Sequence, residues 1–231
     1  MQAKLLKLES LTPAVYLVQL KLPEKLQFQA GQYLQVVMGE RDKRPFSIAS
    51  APQANGTDQL ELHIGATPEN RYAWDVIAQL REQGEITIEA PLGEAFYRAD
   101  KHRPVILVAG GTGFSYTWSI LQAHIANGCE IPMTLYWGAR APSDLYYHEQ
   151  LQALAKQHQN FHYRPVVEAA EANWQGALGL VHHAVMAEQD DLAAANVYVA
   201  GRFEMVRVVR DDFHARGLPL PQLYGDALAF I

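Results

Sequence analysis

The second half of the chain alternates short apolar segments with amphipathic ones so regularly that few folds can accommodate it. The apolar segments PVILVAGG, PMTLYWGAR, FHYRPVVE and NVYVAGRFEM are each followed by a segment with helical character. In the last of these, EMVRVVRDDFHARG, Val206, Val209 and Phe213 stand at i, i+3 and i+7. Strands and helices that alternate in this way predict a parallel sheet with helices on both faces.

Two further expectations concern single segments of this half. Ser143 is expected to cap the helix that follows it, because serine at an N-cap accepts a hydrogen bond from a free backbone N–H group. The closing segment QLYGDALAFI is expected to be a strand, in which Asp226, Leu228 and Phe230 would share one face.

The first hundred residues have a different pattern, in which short strands follow one another. AVYLVQLKL places Val18 and Leu20 on one face, QLELHIG and EITIEA also alternate, and RYAWDVIAQLRE is the one helical segment. This pattern predicts a small antiparallel β-barrel with one helix. We therefore expect two domains that meet near Lys101, one over residues 1–100 and the other over residues 101–231.

Composition excludes several classes of function. The formal net charge of −6 argues against nucleic acid or an anionic membrane surface as a partner. Cys129 is the only cysteine, so the chain can form neither an internal disulfide nor a four-cysteine iron–sulfur cluster. The N-terminus lacks the apolar core of a signal peptide, and apolar runs elsewhere are too short to span a bilayer. We expect a cytoplasmic protein.

The glycine-rich segment VILVAGGTGFSY joins a strand to a helix. Such a junction presents free backbone N–H groups and a helix N-terminus to an anion. Gly110, Gly111 and Gly113 would let the backbone approach a phosphate, and Thr112 and Ser115 could add hydroxyl donors. The segment is neither a Walker motif nor a complete dinucleotide-binding fingerprint. A tight turn that needs glycine only for its geometry remains an alternative.

A second motif, RPFSIAS, stands in the barrel half at residues 44–50. Followed in order by AGGTGFS, YWGAR, AGRFEM and GDALAFI, it resembles the ferredoxin–NADP reductase-like superfamily. Within that superfamily the chain is most similar to the bacterial NAD(P)H:flavin oxidoreductases that reduce free flavins. The resemblance covers essentially the whole chain.

This resemblance implies that the barrel binds a flavin. Ser47 and Asp226 would be catalytic, with the Ser47 hydroxyl near flavin N5 and Asp226 near the reacting ring. The implied flavin-binding residues are Arg44, Pro45, Phe46, Ser47, His63, Ile64, Gly65, Ala66 and Phe230. On the residues alone, a serine in a strand is more often a half-buried hydroxyl than a catalytic group.

The resemblance also implies that the α/β domain binds NADH or NADPH. The implied nucleotide-binding residues are Gly110, Gly111, Thr112, Gly113, Phe114, Ser115, Arg140, Gly201, Arg202 and Met205. Hydride transfer needs little acid–base work from the protein, because the cofactors supply the chemistry and the protein positions them. No base–nucleophile pair is expected.

Departures from the family pattern indicate that the flavin is a loosely bound substrate. Relatives that hold FAD tightly carry Gly-x-x-Ser or Gly-x-x-Thr after the second flavin segment. Here Pro68 stands three positions after Gly65, and Glu69 adds a negative charge. The loop that contains Gly201 begins with Ala200, where the family normally has cysteine.

Several alternatives stay open. The protein could reduce free riboflavin, FMN or FAD, and the dihydroflavin could then serve a flavin-dependent monooxygenase, a luciferase or ferric iron. It could instead hold a flavin and pass electrons to a protein partner, or it could be a non-catalytic binding module. Arg140 and Arg202 do not discriminate NADH from NADPH, and a monomer is the default expectation.

The nine histidines are expected to bind no metal. His182 and His183 are adjacent, so on a helix their side chains point about 100° apart. They are expected to be surface residues, and metal binding is not expected because no recognised zinc-binding spacing is present.

Overall fold

The computed structural model describes residues 1–100, 102–170 and 172–231, apart from the side chains of residues 54 and 55. Lys101, near which the domain boundary was expected, lies outside the described residues. The chain divides into two compact units. The first comprises residues 1–97 and 118–123, and the second comprises residues 98–117 and 124–231.

The first unit is a six-stranded antiparallel sheet. Its strands are β1 (Gln2–Thr12), β2 (Val15–Lys21), β3 (Tyr33–Gly39), β4 (Asp42–Ser47), β5 (Gln59–Gly65) and β6 (Glu85–Leu92), in the order β4-β3-β6-β1-β2-β5. The unit also contains the helices α1 (Pro52–Asn55) and α2 (Arg71–Gln83). Just after β4, the Ala49 N–H donates to the Glu61 carbonyl of β5 at 2.7 Å, which joins the two edges into a barrel.

The core of this unit follows the alternation of its strands. Val18, Leu20 and Leu62 are fully or almost fully buried, as the period of two predicts. Helix α2 buries Val76 and Ile77 against them, and it ends at Gly84, whose φ of +70° closes the helix. The predicted antiparallel barrel is confirmed, and besides the predicted helix, α2, the unit contains the four-residue helix α1.

The second unit is a parallel sheet whose strands alternate with helices. Its strands are β7 (Val105–Gly110), β8 (Met133–Ala139), β9 (Phe161–Val167), β10 (Ala177–Leu178), β11 (Asn196–Ala200) and β12 (Leu223–Tyr224), in the order β10-β9-β8-β7-β11-β12. The helices are α3 (Phe114–Ala126), whose residues 118–123 belong to the first unit, α4 (His148–Gln157), α5 (Val181–Glu188) and α6 (Phe203–Ala215). Short 3-10 helices span Gly111–Gly113, Pro142–Asp144, Leu192–Ala194, Leu220–Gln222 and Asp226–Phe230.

Helices cover both faces of this sheet. Val185 of α5 and Phe213 of α6 join the apolar cluster that includes Val166 of β9. Residue Tyr163 of the same strand points to the opposite face, where its hydroxyl contacts the imidazole of His148 at the start of α4. The predicted fold class is confirmed.

Two local predictions were wrong. The closing segment is a strand only at Leu223–Tyr224, and Asp226–Phe230 is a 3-10 helix, so Asp226 and Phe230 do not lie on one strand face. Ser143 does not cap α4, because it lies inside the 3-10 helix Pro142–Asp144 and α4 begins later, at His148. Within the described residues, no helix combines the length and apolar character that crossing a bilayer requires.

Candidate active site

The glycine loop lies at the carboxyl end of β7, where ligands bind to open parallel sheets. Strand β7 ends at Gly110, the 3-10 helix Gly111–Gly113 follows, and α3 begins at Phe114. Gly111 adopts a φ of +54°, and a Cβ atom added there would meet nothing within 4 Å. Gly111 is therefore a position where the backbone conformation favours glycine and where the space beside the loop is open to a ligand.

The neighbouring glycines have a different role. A Cβ atom on Gly110 would lie 2.3 Å from the sulfur of Met205, and one on Gly113 would lie 2.3 Å from the Ala200 carbonyl oxygen. A Cβ atom on Gly201 would lie 2.6 Å from the same Met205 sulfur. A Cβ atom on Gly113 would meet the backbone, so packing of the two loops requires this glycine, whereas the flexible Met205 side chain fills the space beside Gly110 and Gly201.

The YWGAR motif supports the glycine loop directly. Trp137 of β8 is fully buried, and its indole Nε1 donates a hydrogen bond of 2.9 Å to the Gly111 carbonyl oxygen. Its ring stacks on Phe114 with 3.9 Å between ring centroids. Phe114 and Ser115 are buried, so of the residues from 111 to 115 the partly exposed ones are Gly111, Thr112 and Gly113.

A cleft of about 620 Å³ opens beyond the carboxyl ends of β8 and β9. Backbone hydrogen bonds from Glu168 to Ala139 and from Ala169 to Arg140 extend the pairing of the two strands into its rim. The exposed Arg140 precedes the segment that forms one wall. The lining is small, neutral and partly aromatic, and it comprises Ala141, Pro142, Ser143, Ala169, Ala170, Asn173 and Trp174.

Strand order places these features side by side along one edge of the sheet. The cleft follows β9 and β8, the glycine loop follows β7, and the segment with Gly201 and Arg202 follows β11. Adjacent strands are about 4.8 Å apart, so the three features span the width of several strands. An extended dinucleotide could lie along this edge and contact all three.

In the barrel unit, Arg44 is held by protein contacts. Its guanidinium binds both carboxylate oxygens of Asp42, at 2.9 and 2.5 Å, and donates to the Tyr72 carbonyl at 2.5 Å. The hydrogen bond to Asp42 raises the pKa of Arg44. Arg44 therefore joins β4 to α2. A ligand would meet a guanidinium whose N–H groups already donate to Asp42 and Tyr72.

Ser47 lies at the end of the edge strand β4, paired with Tyr33 of β3. Strand alternation places Pro45 and Ser47 on one face, and Phe46 lies on the other face, where it packs against the barrel core. Ser47 is half-buried. A ligand on the outer face of β4 would therefore meet Pro45 and Ser47 rather than the ring of Phe46.

The segment HIGA faces mainly inward. Ile64 and Ala66 belong to the core, and the buried His63 imidazole lies 3.1 Å from a carboxylate oxygen of Glu61. Burial opposes ionisation of Glu61. The hydrogen bond with His63 and the electrostatic interaction between the two side chains act in the other direction and hold the pKa of Glu61 below its usual value. Gly65 is half-buried, so contact with a flavin would be made by Gly65 and by main-chain atoms.

The residues before α2 bear on flavin phosphate binding. Glu69 is exposed, and hydrogen bonds from its own backbone and from the Thr67 side chain lower the pKa of its carboxyl group. The Thr67 hydroxyl is thus engaged by a carboxylate, close to the helix N-cap at Asn70. A phosphate here would meet a negative charge.

The C-terminal candidates lie on the 3-10 helix. Phe230 is 74% exposed, and its ring centroid is 6.2 Å from that of Phe203 at the start of α6. Asp226 is half-buried near Tyr116, whose pKa is raised well above its usual value by burial and by the charge of Asp226. The roles of Asp226 and Phe230 toward a flavin stay predictions.

Comparison with known proteins agrees with this architecture. Residues 2–97 match the oxidoreductase FAD-binding domain family, and residues 107–211 match the oxidoreductase NAD-binding domain family. The chain is 44% identical to a protein of Vibrio harveyi named NAD(P)H-flavin reductase, over 100% of this chain and 99% of that protein. The chain belongs to the NAD(P)H-flavin reductase family.

Another member of the flavin reductase family, from Aliivibrio fischeri, is 43% identical over 99% of this chain and 98% of its own length. Among solved structures, the ferredoxin reductase in carbazole 1,9a-dioxygenase aligns with a TM-score of 0.83 at 24% identity. That alignment covers 98% of this chain and 68% of the other chain, and it shows a shared fold.

Sequence reasoning missed two parts of this site. No role was predicted for Trp137, although its place in YWGAR, directly beside the strand that carries the glycine loop, was a usable signal. The wall of the cleft that contains Asn173 and Trp174 could not be predicted from a sequence pattern, because these residues follow β9 in an irregular segment.

Proposed function

We propose that this protein uses NADH or NADPH to reduce free flavins, with riboflavin, FMN and FAD as the candidate substrates. The observation that carries this proposal is the 44% identity, over the whole chain, to a protein named NAD(P)H-flavin reductase. The geometry of both units is compatible with that activity and suggests which residues perform it.

The nucleotide would bind along the carboxyl edge of the parallel sheet. The N–H groups of Gly111, Thr112 and Gly113 precede the first hydrogen-bonded turns of α3, so the positive end of this helix is available to a pyrophosphate. The neutral cleft beside Trp174 fits the adenosine half. Arg140 and Arg202 are exposed at the same edge and would contact ribose or phosphate oxygens.

The flavin would bind at the outer face of β4. Pro45 supplies an apolar surface, and the Ser47 hydroxyl supplies a hydrogen bond at the end of the strand. When bound, the nucleotide would supply a hydride, which together with one solvent proton would convert the flavin to dihydroflavin. The role of Ser47 is to orient the flavin and to stabilise charge that develops near N5, which a small hydroxyl can do without obstructing the approach.

The contact between Thr67 and Glu69 favours a flavin that is released. In this position a carboxylate would repel the FAD pyrophosphate, and Thr67 is already engaged. The flavin would then be held mainly by its ring and ribityl chain. A reduced flavin that leaves could serve a monooxygenase, a luciferase or ferric iron.

The remaining assignments are part of the same proposal. Residues 1–100 would form the flavin-binding domain and residues 101–231 the NAD(P)H-binding domain. The cytoplasmic setting and the monomeric state expected from the sequence stay predictions.

Two measurements test the proposed function. The purified protein should lack visible flavin absorbance, and it should oxidise NADH at 340 nm only after riboflavin, FMN or FAD is added. Kinetics with three flavins and two nicotinamide nucleotides would give the preferences. A yellow protein that retains its flavin through gel filtration and reduces a protein acceptor would contradict release, and no turnover with any flavin would contradict the reductase activity.

A further inference from the structure

Two adjacent histidines of α5 and an aspartate of α6 form a cluster in the second unit. His182 and His183 have ring centroids 4.2 Å apart, and the Nε2 atom of His182 lies 3.5 Å from a carboxylate oxygen of Asp212. One nitrogen from each histidine and one oxygen of Asp212 all lie within 4.8 Å of one another. Three donor atoms thus converge from two helices.

Burial differs among the three side chains. The His182 side chain is only 8% exposed, which corrects its assignment to the surface, whereas His183 is exposed and Asp212 has a side chain that is 40% exposed. His182 is therefore fixed by its surroundings, while His183 and Asp212 can rotate at the surface. The cluster has one rigid donor and two adjustable ones.

Zinc ligands at about 2.0–2.2 Å from a tetrahedral ion lie roughly 3.3 Å from one another. The distance of 3.5 Å between His182 and Asp212 is already close to this value. The third donor would need to move by about an ångström, which side-chain rotation of the exposed His183 can supply. Water would complete the coordination and would leave the site open on its exposed side.

We propose that His182, His183 and Asp212 form a binding site for a divalent transition-metal ion of the zinc type. Two imidazole nitrogens with one carboxylate oxygen favour Zn²⁺, Co²⁺ or Ni²⁺ over Mg²⁺ and Ca²⁺, which prefer oxygen ligands. The ion would join α5 to α6, which both contribute to one buried apolar cluster, with Val185 and Phe213 among its members. This site does not depend on the proposed reductase function.

The test uses the tag-free full chain, freed of metal by a chelator. Zn²⁺ binding is measured by isothermal titration calorimetry, and Co²⁺ binding by visible absorption. We expect one Zn²⁺ per chain, a visible Co²⁺ band, no heat with Mg²⁺, and a rise in Tm of at least about 5 °C with saturating Zn²⁺.

The variants His183→Ala and Asp212→Asn remove the exposed ligands and leave the buried His182 in place. Each should weaken Zn²⁺ binding at least about tenfold and reduce the Tm shift, since removing even an outer partner of a metal ligand typically costs this much. His162→Ala removes an exposed histidine on β9 and serves as the matched control, with unchanged binding.

Equal Zn²⁺ affinity in the wild type and in both ligand variants would place the ion elsewhere and overturn the proposal. Absence of Zn²⁺ binding to the wild type at millimolar concentration would also overturn it. In that case the cluster is a contact between His182 and Asp212 with a second imidazole ring beside it. Circular dichroism of each variant shows whether a loss of binding reflects unfolding.

Discussion

The indole N–H of Trp137 donates a hydrogen bond of 2.9 Å to the carbonyl oxygen of Gly111, the glycine whose φ of +54° shapes the proposed phosphate-binding loop. The donor is fully buried and its ring stacks on Phe114, the first residue of α3. One side chain therefore fixes both the carbonyl of the loop and the start of the helix that follows. We propose that Trp137 is a positioning residue for nucleotide binding.

Replacing Trp137 by phenylalanine removes this hydrogen bond and keeps an aromatic ring in the core. A typical net hydrogen bond contributes about 1 kcal/mol, so we expect KM for the nicotinamide nucleotide to rise about fivefold, with kcat nearly unchanged. Tyr136→Phe is the matched control, because it removes a buried hydroxyl that bonds to Glu188, away from the loop. An equal KM in both variants would show that the bond does not position the loop.

Ser47→Ala tests the proposed catalytic hydroxyl. Loss of a hydrogen bond that strengthens in the transition state should lower kcat for riboflavin reduction by about tenfold or more. Ser47→Thr keeps the hydroxyl, suits a strand, and should restore most of the rate. If the alanine variant turns over at the wild-type rate, Ser47 is a structural residue of β4.

Two glycine variants separate conformation from packing. Gly111→Ala puts a side chain on a residue with a left-handed backbone conformation, at a position where an added Cβ atom meets nothing within 4 Å. The backbone strain alone should destabilise the fold by about 1 kcal/mol. Gly113→Ala would place a Cβ atom 2.3 Å from the Ala200 carbonyl oxygen, and we expect a loss of about 3 kcal/mol. Scanning calorimetry should show Tm falling by about 3 °C and about 9 °C respectively. Equal shifts would contradict the close packing of the two loops.

Stability should decrease in mild acid because of His124. Burial lowers the pKa of His124 below its ordinary value of 6.5, although its hydrogen bond to the Ile131 carbonyl acts in the opposite direction. Between the folded and unfolded pKa values the unfolded chain binds more protons, so the free energy of unfolding falls as pH decreases below about 6.5. Urea unfolding at several pH values should show this decline.

His124→Gln keeps a donor for Ile131 but cannot titrate. Its urea midpoint should fall less steeply between pH 7 and pH 5 than that of the wild type. His148 and His182 also have pKa values lowered by burial, so some pH dependence should persist in the variant. An unchanged slope would show that His124 is not a source of the acid sensitivity.

The architecture could be predicted because its signals are local. Alternation at Val18 and Leu20, and helical spacing at Val206, Val209 and Phe213, record which face of each element is buried, and all five residues are in the core. The prediction for the closing segment was wrong because it, too, used only a local signal. Its apolar residues at alternate positions imitate a strand, whereas Gly225 lies so close to the Val199 carbonyl of β11 that a Cβ atom there would be 2.5 Å away. Pairing stops at Tyr224 and the chain coils into the 3-10 helix.

By itself, the order of residues determined two things: the kinds of element that form, and the glycine segment at the end of a strand. Tertiary structure alone decided which glycines pack against Met205 and Ala200, that Trp137 holds Gly111, and that Asp212 meets His182 from a position 30 residues away. The reason is physical. Periodicity reflects the burial of one face of a single element, but contacts between elements depend on strand order and helix packing, which bring together residues that no spacing in the sequence relates.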